Sequence, residues 1–205
     1  MSAEMVRDTA LKVSGLLVDR QGGQSVKPPQ PSGYYRHLNF PVRTYQSDMD
    51  EEQWRRGVYV HWQRQYLHPM LRAFDGPTRE ECTARRTESN TPLAALVLMN
   101  DPTYVEASRA FAQRVLQREF PGDRAGIAFA MREATARVPS DREISVLEEL
   151  LRSSRAAYAL DGEGVSALLA VGSSPVDSSL DPVELAAWTQ VTRTILNLHE
   201  TITRE

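Results

Sequence analysis

Residues 58–102, VYVHWQRQYLHPMLRAFDGPTREECTARRTESNTPLAALVLMNDP, contain most of the signals that decide the fold. In the first six residues, Val and Trp alternate with Tyr, His and Gln, which predicts a half-buried β-strand. A polar, arginine-rich loop follows at residues 75–90. Thr91-Pro92 and Asp101-Pro102 each place a capping side chain directly before a proline, a pattern typical of the start of an α-helix. The stretch therefore predicts one strand followed by a helical remainder.

Apolar residues at helical spacing predict further helices on both sides of this stretch. Ser140 and Glu143 have the spacing of a capping box, and the helix that begins at Asp181-Pro182 is expected to be the longest. The segment from Tyr34 to Tyr45 is the only partner in the sequence for the predicted strand. We therefore predict one mainly α domain over residues 1–205, with a small antiparallel β hairpin or ribbon near residues 34–64. The other predicted helices cover residues 3–18, 66–74 and 123–136.

Composition sets limits on function. The net charge is −3 and the basic residues are scattered, so nothing in the sequence favours nucleic-acid binding. No apolar run approaches the roughly 18 residues needed to span a bilayer, and the N-terminus lacks the pattern of a signal peptide. Cys82 is the only cysteine, which excludes an intrachain disulfide and a C-x-x-C-H haem site. The four histidines lack metal-ligand spacing, so no metal site is expected.

The run FDGPTREECTARRTESNTPLAALVLMNDPTYVEASRAFAQRVL, which begins at Phe74, resembles the planctomycete-specific domain of unknown function (PSD family). The shared motifs are a Phe-Asp-x-Pro turn, a Cys followed by an Arg pair, a Thr-Pro-Leu helix start and Asn-Asp-Pro. The opening and closing helices of the chain are also similar to those of the family. Because the family domain usually begins further upstream, the resemblance is to its C-terminal part.

The resemblance implies a setting rather than a reaction. Such proteins are usually large and exported, with a cytochrome-c-like domain ahead of this one, in bacteria rich in polysaccharide-degrading enzymes. An extracytoplasmic (periplasmic) location is therefore expected. Any haem would lie in an upstream domain, and no cofactor is expected in this chain. The implied partners are other domains of the parent protein and, in view of that enzyme content, carbohydrate.

The residues themselves favour the 75–90 loop as a binding site. Its arginines could grip a sulfate or carboxylate group with planar, bidentate guanidinium groups. A carbohydrate platform could be formed by a nearby cluster of aromatic residues and arginines, namely Trp54, Tyr59, Trp62 and Tyr66 with Arg55, Arg56 and Arg64. Trp54 is the best candidate for an exposed ring, and His61 lies on the polar face of the predicted strand. The alternative is structural, with the loop arginines paired to Asp75, Glu81 or Glu88. The candidate binding residues are Asp75, Cys82, Arg85, Arg86, Asn90, Trp54 and His61.

No complete catalytic constellation occurs in the sequence. We therefore expect an accessory module that recognises carbohydrate or another domain of its parent protein. One alternative is part of an enzyme whose active site is completed by upstream residues, which requires a deep cleft beside the 75–90 loop. Another is a purely structural scaffold.

Overall fold

Most of the chain folds into α-helices joined by loops, as predicted. The computed structural model describes residues 1–38, 41–63, 66–87 and 89–203. Two short 3-10 turns, Glu51–Trp54 and Gly57–Tyr59, interrupt the long irregular segment after the first helix. The helices within the described ranges are α1 (Ala3–Ser14), α2 (Pro69–Ala73), α3 (Pro92–Asn100), α4 (Pro102–Leu116), α5 (Asp123–Thr135), α6 (Asp141–Tyr158), α7 (Gly162–Leu169), α8 (Pro182–Leu196) and α9 (His199–Ile202).

Side-chain caps begin the helices where the sequence predicts them. The hydroxyl of Thr91 accepts a hydrogen bond from a backbone N–H in the first turn of α3 at 3.1 Å, and Asp101 caps α4 in the same way at 2.9 Å. Ser140 and Glu143 form the predicted capping box at the start of α6. These contacts satisfy N–H groups that have no partner within the first helical turn.

The helix α8 lies at the centre of the core and packs against α4 and α6. Leu185, Val191 and Ile195 of α8 are fully buried, which confirms the inward face predicted from their spacing. The hydroxyl of Thr192 also donates a hydrogen bond to the carbonyl of Ser108 in α4 at 2.8 Å. The C-terminal third of the chain is therefore needed to complete the core.

The helix that begins at Pro182 is shorter than predicted. It ends at Leu196, so the 18-residue α6 is longer. Leu198 adopts an extended conformation, with φ −65° and ψ 140°. The hydroxyl of Thr201 donates to the carbonyl of Ile195 at 2.8 Å, which satisfies a carbonyl that the interrupted helix leaves without a partner.

The predicted antiparallel hairpin near residues 34–64 is not confirmed, because the described residues form no β-sheet. Of the apolar face predicted for the strand, Val60 is buried, but Val58 lies in a 3-10 turn and is 65% exposed. Val60 forms an isolated parallel bridge with Val26 instead. Parts of the predicted ribbon, residues 39, 40, 64 and 65, lie outside the described residues.

The close approach of this segment to α1 explains why the alternating pattern does not produce a strand. Gly57 lies so near to α1 that a Cβ atom at this position would be 2.8 Å from the Cα of Glu4. The backbone N–H of Gly57 also donates to the Asp8 carboxylate at 2.6 Å. An alternating pattern indicates a segment that is buried on one side. Here a helix and a loop cover that side, in place of a neighbouring strand.

Buried arginines satisfy backbone carbonyls in this irregular segment. Arg7 of α1 is fully buried and donates hydrogen bonds to the carbonyls of Gln53 and Arg55. Buried carbonyls need partners whether or not a sheet provides them, and a guanidinium group carries five N–H donors in a fixed plane. Arg7 thus fixes the segment to the first helix.

Arg55 makes the same kind of hydrogen bond to backbone carbonyls in the loop at residues 20–24. It is 1% exposed, and its guanidinium donates to the carbonyls of Arg20 at 3.2 Å, Gly22, and Gln24 at 2.9 Å. Its central carbon lies 4.1 Å from the centre of the Tyr59 ring. The loop is therefore wrapped around a charged side chain that is also stacked on an aromatic ring.

Three arginines further along the chain also donate hydrogen bonds to backbone carbonyls of other segments. Arg109 donates to the carbonyl of Ser174 at 2.8 Å. Arg114 and Arg193 donate to the carbonyls of Val13 and Met99, close to the C-terminal ends of α1 and α3. Such contacts satisfy carbonyls that a helix end leaves without partners.

Replacement of Arg55 by lysine is expected to lower the free energy of unfolding by about 2–3 kcal/mol, because an ammonium group cannot reach three carbonyls in one plane while stacking on a ring. The matched control is Arg56→Lys, since the Arg56 side chain is 48% exposed with ion pairs no shorter than 3.7 Å. We expect that change to stay within about 0.5 kcal/mol. Urea denaturation measures both, and equal effects would contradict a structural role for Arg55.

Candidate functional site

The 75–90 loop, predicted as the binding site, is held by contacts within the chain. The Asp75 carboxylate accepts hydrogen bonds from the backbone N–H of Ser89 at 2.7 Å and from its hydroxyl at 2.6 Å, which closes the base of the loop. Arg86 donates to both carboxylate oxygens of Glu4 in α1, at 3.0 and 2.9 Å. Asp75 and Arg86 therefore already have structural partners.

The other predicted residues of this loop, Cys82, Arg85 and Asn90, are exposed. Glu88, a predicted alternative partner for the loop arginines, lies outside the described residues. Asn90 borders a hollow of about 170 Å³, whereas small-molecule sites usually occupy about 300–1,000 Å³. This hollow is smaller than the deep cleft that the enzymatic alternative requires.

Trp54 contributes to the interior rather than to an exposed platform. Its indole N–H donates to Glu106 at 3.1 Å. Glu106 is 1% exposed, and its other carboxylate oxygen accepts the backbone N–H groups of Ser173 at 2.7 Å and Ser174 at 2.6 Å. Trp54 is thus part of a buried connection between α4 and the loop before α8. Arg64, the predicted neighbour of this ring, lies outside the described residues.

His61 lies in a different place, beside an open hollow of about 360 Å³ that we call the His61 hollow. Two cations, an amide and two tyrosine rings surround the imidazole. Among the described residues, no Asp or Glu side chain lines this hollow, so its surface is positively charged. Its lining includes Lys27, Tyr35, Arg43, Tyr45, His61 and Gln63.

A cluster of tyrosine rings forms the wall of the His61 hollow. The centre of the Tyr35 ring lies 5.3 Å from that of Tyr45 and 5.6 Å from that of Tyr66, in both cases edge to face. Tyr34 joins the cluster at 6.1 Å from Tyr35. Such pairs stabilise by about 0.5–1.5 kcal/mol beyond the area that they bury, so the wall is ordered before any ligand arrives.

Hydrogen bonds of the tyrosine hydroxyls fix this wall to the rest of the fold. The hydroxyl of Tyr34 donates to the carbonyl of Leu67 at 2.8 Å, and that of Tyr45 donates to the carbonyl of Pro28 at 2.6 Å. The rings therefore keep their polar ends satisfied inside the fold while parts of Tyr35 and Tyr45 remain accessible.

A second hollow of about 460 Å³ adjoins the first and is lined by residues 30–36, 38, 42–45 and 47. We call it the Arg36 hollow, because Arg36 lines this hollow and does not line the His61 hollow. Tyr35, Arg43 and Tyr45 line both hollows. The described residues that line it also include no Asp or Glu. The two hollows therefore form one continuous, basic, tyrosine-lined surface.

The imidazole of His61 is neutral near pH 7. Partial burial lowers its pKa, and the positive charges of Lys27 and Arg43 lower it further, against the opposing effect of a hydrogen bond with Gln63. The hydroxyl of Ser25 lies 3.4 Å from its Nδ1. At neutral pH His61 thus offers one donor and one acceptor while the charge of the hollow comes from Lys27 and Arg43.

The sequence does contain a signal for this surface that our sequence analysis missed. Residues 20–47 include no Asp or Glu, although acidic residues outnumber basic ones in the whole chain. Within this stretch Lys27, Arg36 and Arg43 are interspersed with tyrosines. An acid-free stretch of this length with interleaved aromatic residues is an indicator of an anion-binding surface.

A groove of about 770 Å³ lies between α1, the end of α5 and α9. Its charges largely compensate one another. Arg56 lies 3.7 Å from the carboxylates of both Asp8 and Asp19, and Glu200 is paired with Arg137. This groove therefore lacks the uncompensated charge found beside His61.

In the described parts of the chain, no three His, Cys, Asp or Glu side chains approach closely enough to hold a metal ion. None of the described helices is both long enough and apolar enough to cross a membrane.

Comparison with known families supports the resemblance seen in the motifs. The family model PSD1, described as a protein of unknown function (DUF1553), matches residues 1–151. The chain belongs to this family. Searches of curated proteins and of solved structures gave no match. The PSD1 match includes both hollows and the 75–90 loop, whereas α7, α8 and α9 follow it.

In this PSD1 chain a buried neutral histidine follows Leu67, the residue whose carbonyl accepts the Tyr34 hydroxyl. The Nδ1 atom of His68 accepts the backbone N–H of Met70 at 3.3 Å and caps α2. Its Nε2 must therefore carry the proton, and it donates to the carbonyl of Pro29 at 3.1 Å. Burial lowers the pKa of His68 to about 4, although the hydrogen bond to Pro29 acts in the opposite direction.

We expect acid to remove the stabilising contribution of His68. Its pKa in the unfolded chain is near 6.5, so below that pH the unfolded state binds a proton that the folded state does not bind until about pH 4. The contribution is complete above pH 6.5, and roughly 3 kcal/mol is lost as the pH falls to 4. The variant His68→Asn keeps a capping oxygen but cannot titrate. The difference between its free energy of unfolding and that of the wild type should therefore change with pH. Urea denaturation at pH 7.5 and 4.5 measures this difference.

The control is His199→Asn, because His199 is exposed. Its unfolding free energy should follow that of the wild type at both pH values. Parallel pH profiles for wild type and His68→Asn would contradict the role assigned to the buried imidazole.

Proposed function

We propose that this chain is an accessory, non-catalytic module that recognises carbohydrate on the surface formed by the His61 hollow and the Arg36 hollow. The observation that carries the proposal is the ordered tyrosine wall, in which Tyr35 and Tyr45 are partly exposed beside amide, imidazole and cationic groups. Tyrosine offers an apolar ring face and a polar edge, and sugar rings likewise combine apolar faces with hydroxyl groups. Both hollows have volumes in the range of small-molecule sites.

The arrangement around His61 supports binding rather than catalysis. Ser25 and His61 are the pair nearest to a nucleophile and a base, but their 3.4 Å separation exceeds the usual hydrogen-bond reach of about 2.6–3.2 Å for such pairs. Among the described residues that line the two hollows, no carboxylate orients the imidazole. Such an orienting group completes the usual nucleophilic arrangement.

The setting that we propose for this module comes from the family resemblance alone. It is an exported, extracytoplasmic protein in which a cytochrome-c-like domain precedes the module. Within such a protein the module would hold its parent on a polysaccharide, and any haem would belong to the preceding domain.

A pair of variants can separate the proposed surface from the 75–90 loop. Arg43 is exposed and lines both hollows, so Arg43→Gln should weaken binding to soluble polysaccharides by at least about fivefold through the loss of one charged contact. Arg85→Gln removes an exposed cation from the other loop and should leave binding unchanged. Affinity electrophoresis against a panel of neutral and acidic polysaccharides measures both.

If Arg85→Gln weakened polysaccharide binding and Arg43→Gln did not, the binding site would lie in the 75–90 loop. An absence of binding to every polysaccharide in the panel would reject carbohydrate recognition. Melting temperatures of both variants equal to that of the wild type establish that any loss reflects binding.

A further inference from the structure

We propose that the ligand is an acidic sugar chain of at least three units, whose carboxylate or sulfate groups contact Lys27 in the His61 hollow and Arg36 in the Arg36 hollow, with Arg43 between them. This inference rests on the proposed function and adds the charge and the minimum length of the ligand.

The charge of the ligand follows from the state of these three cations. Many other arginines of this protein have a carboxylate partner, as in the pairs of Arg86 with Glu4 and of Arg155 with Glu184. Within the described ranges, by contrast, no carboxylate lies at ion-pair distance from Lys27, Arg36 or Arg43. Three neighbouring cations without counter-charges repel one another, and an anionic ligand relieves that repulsion.

The carboxylate of Asp48 is engaged by backbone contacts and forms no ion pair with Lys27. Its Oδ2 accepts the backbone N–H of Lys27 at 2.7 Å, and the backbone N–H of Asp48 donates to the Lys27 carbonyl at 2.9 Å. Asp48 lines a separate hollow that also contains Arg20 and Arg55. Asp48 thus fixes the backbone of Lys27, whose positive charge acts on His61 in the His61 hollow.

The remaining polar contacts of the arginines leave their charge free for a ligand. Arg36 donates from Nε to the His37 ring at 2.9 Å, and Arg43 donates from one terminal nitrogen to the Gln63 amide oxygen at 3.4 Å. Neither partner is a carboxylate. The other guanidinium donors remain available for bidentate contact with a carboxylate or sulfate.

The minimum length follows from the continuity of the surface. Lys27 lines only the His61 hollow and Arg36 only the Arg36 hollow, whereas Arg43, Tyr35 and Tyr45 line both. Each acidic sugar unit carries one charged group, so a two-unit chain supplies an acidic group to at most two of the three cations. A chain of three or more units that crosses Tyr35 and Tyr45 supplies one to each of them.

A single-stranded nucleic acid is the other polyanion that uses aromatic rings, and the surface suits it less well. Nucleic-acid sites usually neutralise many phosphates along a groove, whereas this surface has three cations in a chain of net charge −3. Tyr35 contacts Tyr45 and Tyr66 edge to face, so its ring is committed to the cluster and is not free to stack between bases. The hydroxyl of Tyr45 is also held by Pro28.

The test uses the full chain, titrated calorimetrically with oligogalacturonates of two, four and six units, with their fully methyl-esterified counterparts, with sulfated galactan oligosaccharides and with a ten-residue oligothymidylate. The ester has the same sugar rings without the charge. We expect the four-unit acid to bind at least about tenfold more tightly than the two-unit acid and the ester, with an affinity that falls as salt is raised. Whether the carboxylate or the sulfate series binds more tightly identifies the source of the anion.

Lys27→Gln and Arg36→Gln should each weaken four-unit binding by about fivefold and reduce the advantage of the four-unit over the two-unit acid. Arg152→Gln is the matched control, because its side chain is 74% exposed on α6, and it should bind as the wild type does. All four proteins should have equal melting temperatures.

Equal binding of the acid and its ester would overturn the inference and leave carbohydrate recognition intact. Equal binding of two- and four-unit acids would overturn the proposed span across both hollows. Tighter binding of the oligothymidylate than of any sugar would make nucleic acid the ligand and overturn the inference. An absence of binding to every sugar would overturn both this inference and the proposed function.

Discussion

Hydrogen bonds from buried arginines to backbone carbonyls hold together the parts of this fold that are neither helix nor sheet. Arg7 and Arg55 act in sequence, the first fixing residues 53–55 to α1 and the second fixing residues 20–24 to that segment. The physical requirement is general, because a carbonyl removed from water must find a donor. A guanidinium group meets it especially well, since several donors point outward from one rigid plane and the group remains charged at any physiological pH.

Two kinds of arginine contact can be distinguished in this chain. Some arginines are bonded to carbonyls or carboxylates, as Arg55 and Arg155 are. Arg36 and Arg43 lie next to tyrosines, and their side-chain hydrogen bonds go to an imidazole and an amide rather than to a carboxylate. The proposed surface is therefore distinguished by neighbouring cations that pair with no carboxylate of the described residues and that lie beside aromatic rings. In the 75–90 loop Arg86 is instead paired with Glu4.

Much of the helical framework could be predicted from the sequence, because its signals are local. Capping residues beside Pro92 and Pro102 and the pair Ser140 and Glu143 act within one turn, and the structure contains all of them. The strand prediction at residues 58–63 is not confirmed, because an alternating pattern does not specify what covers the apolar side chains. The Trp54 indole is hydrogen-bonded to Glu106, which lies 52 residues away in the sequence. No local sequence pattern reveals this contact. The absence of Asp and Glu from residues 20–47 is visible in the sequence. That residues of this stretch line two adjoining hollows could not be predicted from it.

The central position of α8 has a consequence for biosynthesis. Its buried side chains, including Leu185 and Ile195, cover α4 and α6, which precede it in the sequence and are synthesised earlier. During translation those earlier helices remain without their main packing partner until α8 itself has left the ribosome. Until then their apolar faces are available to chaperones or to one another. The core around α8 therefore closes only after residues 182–196 have been synthesised.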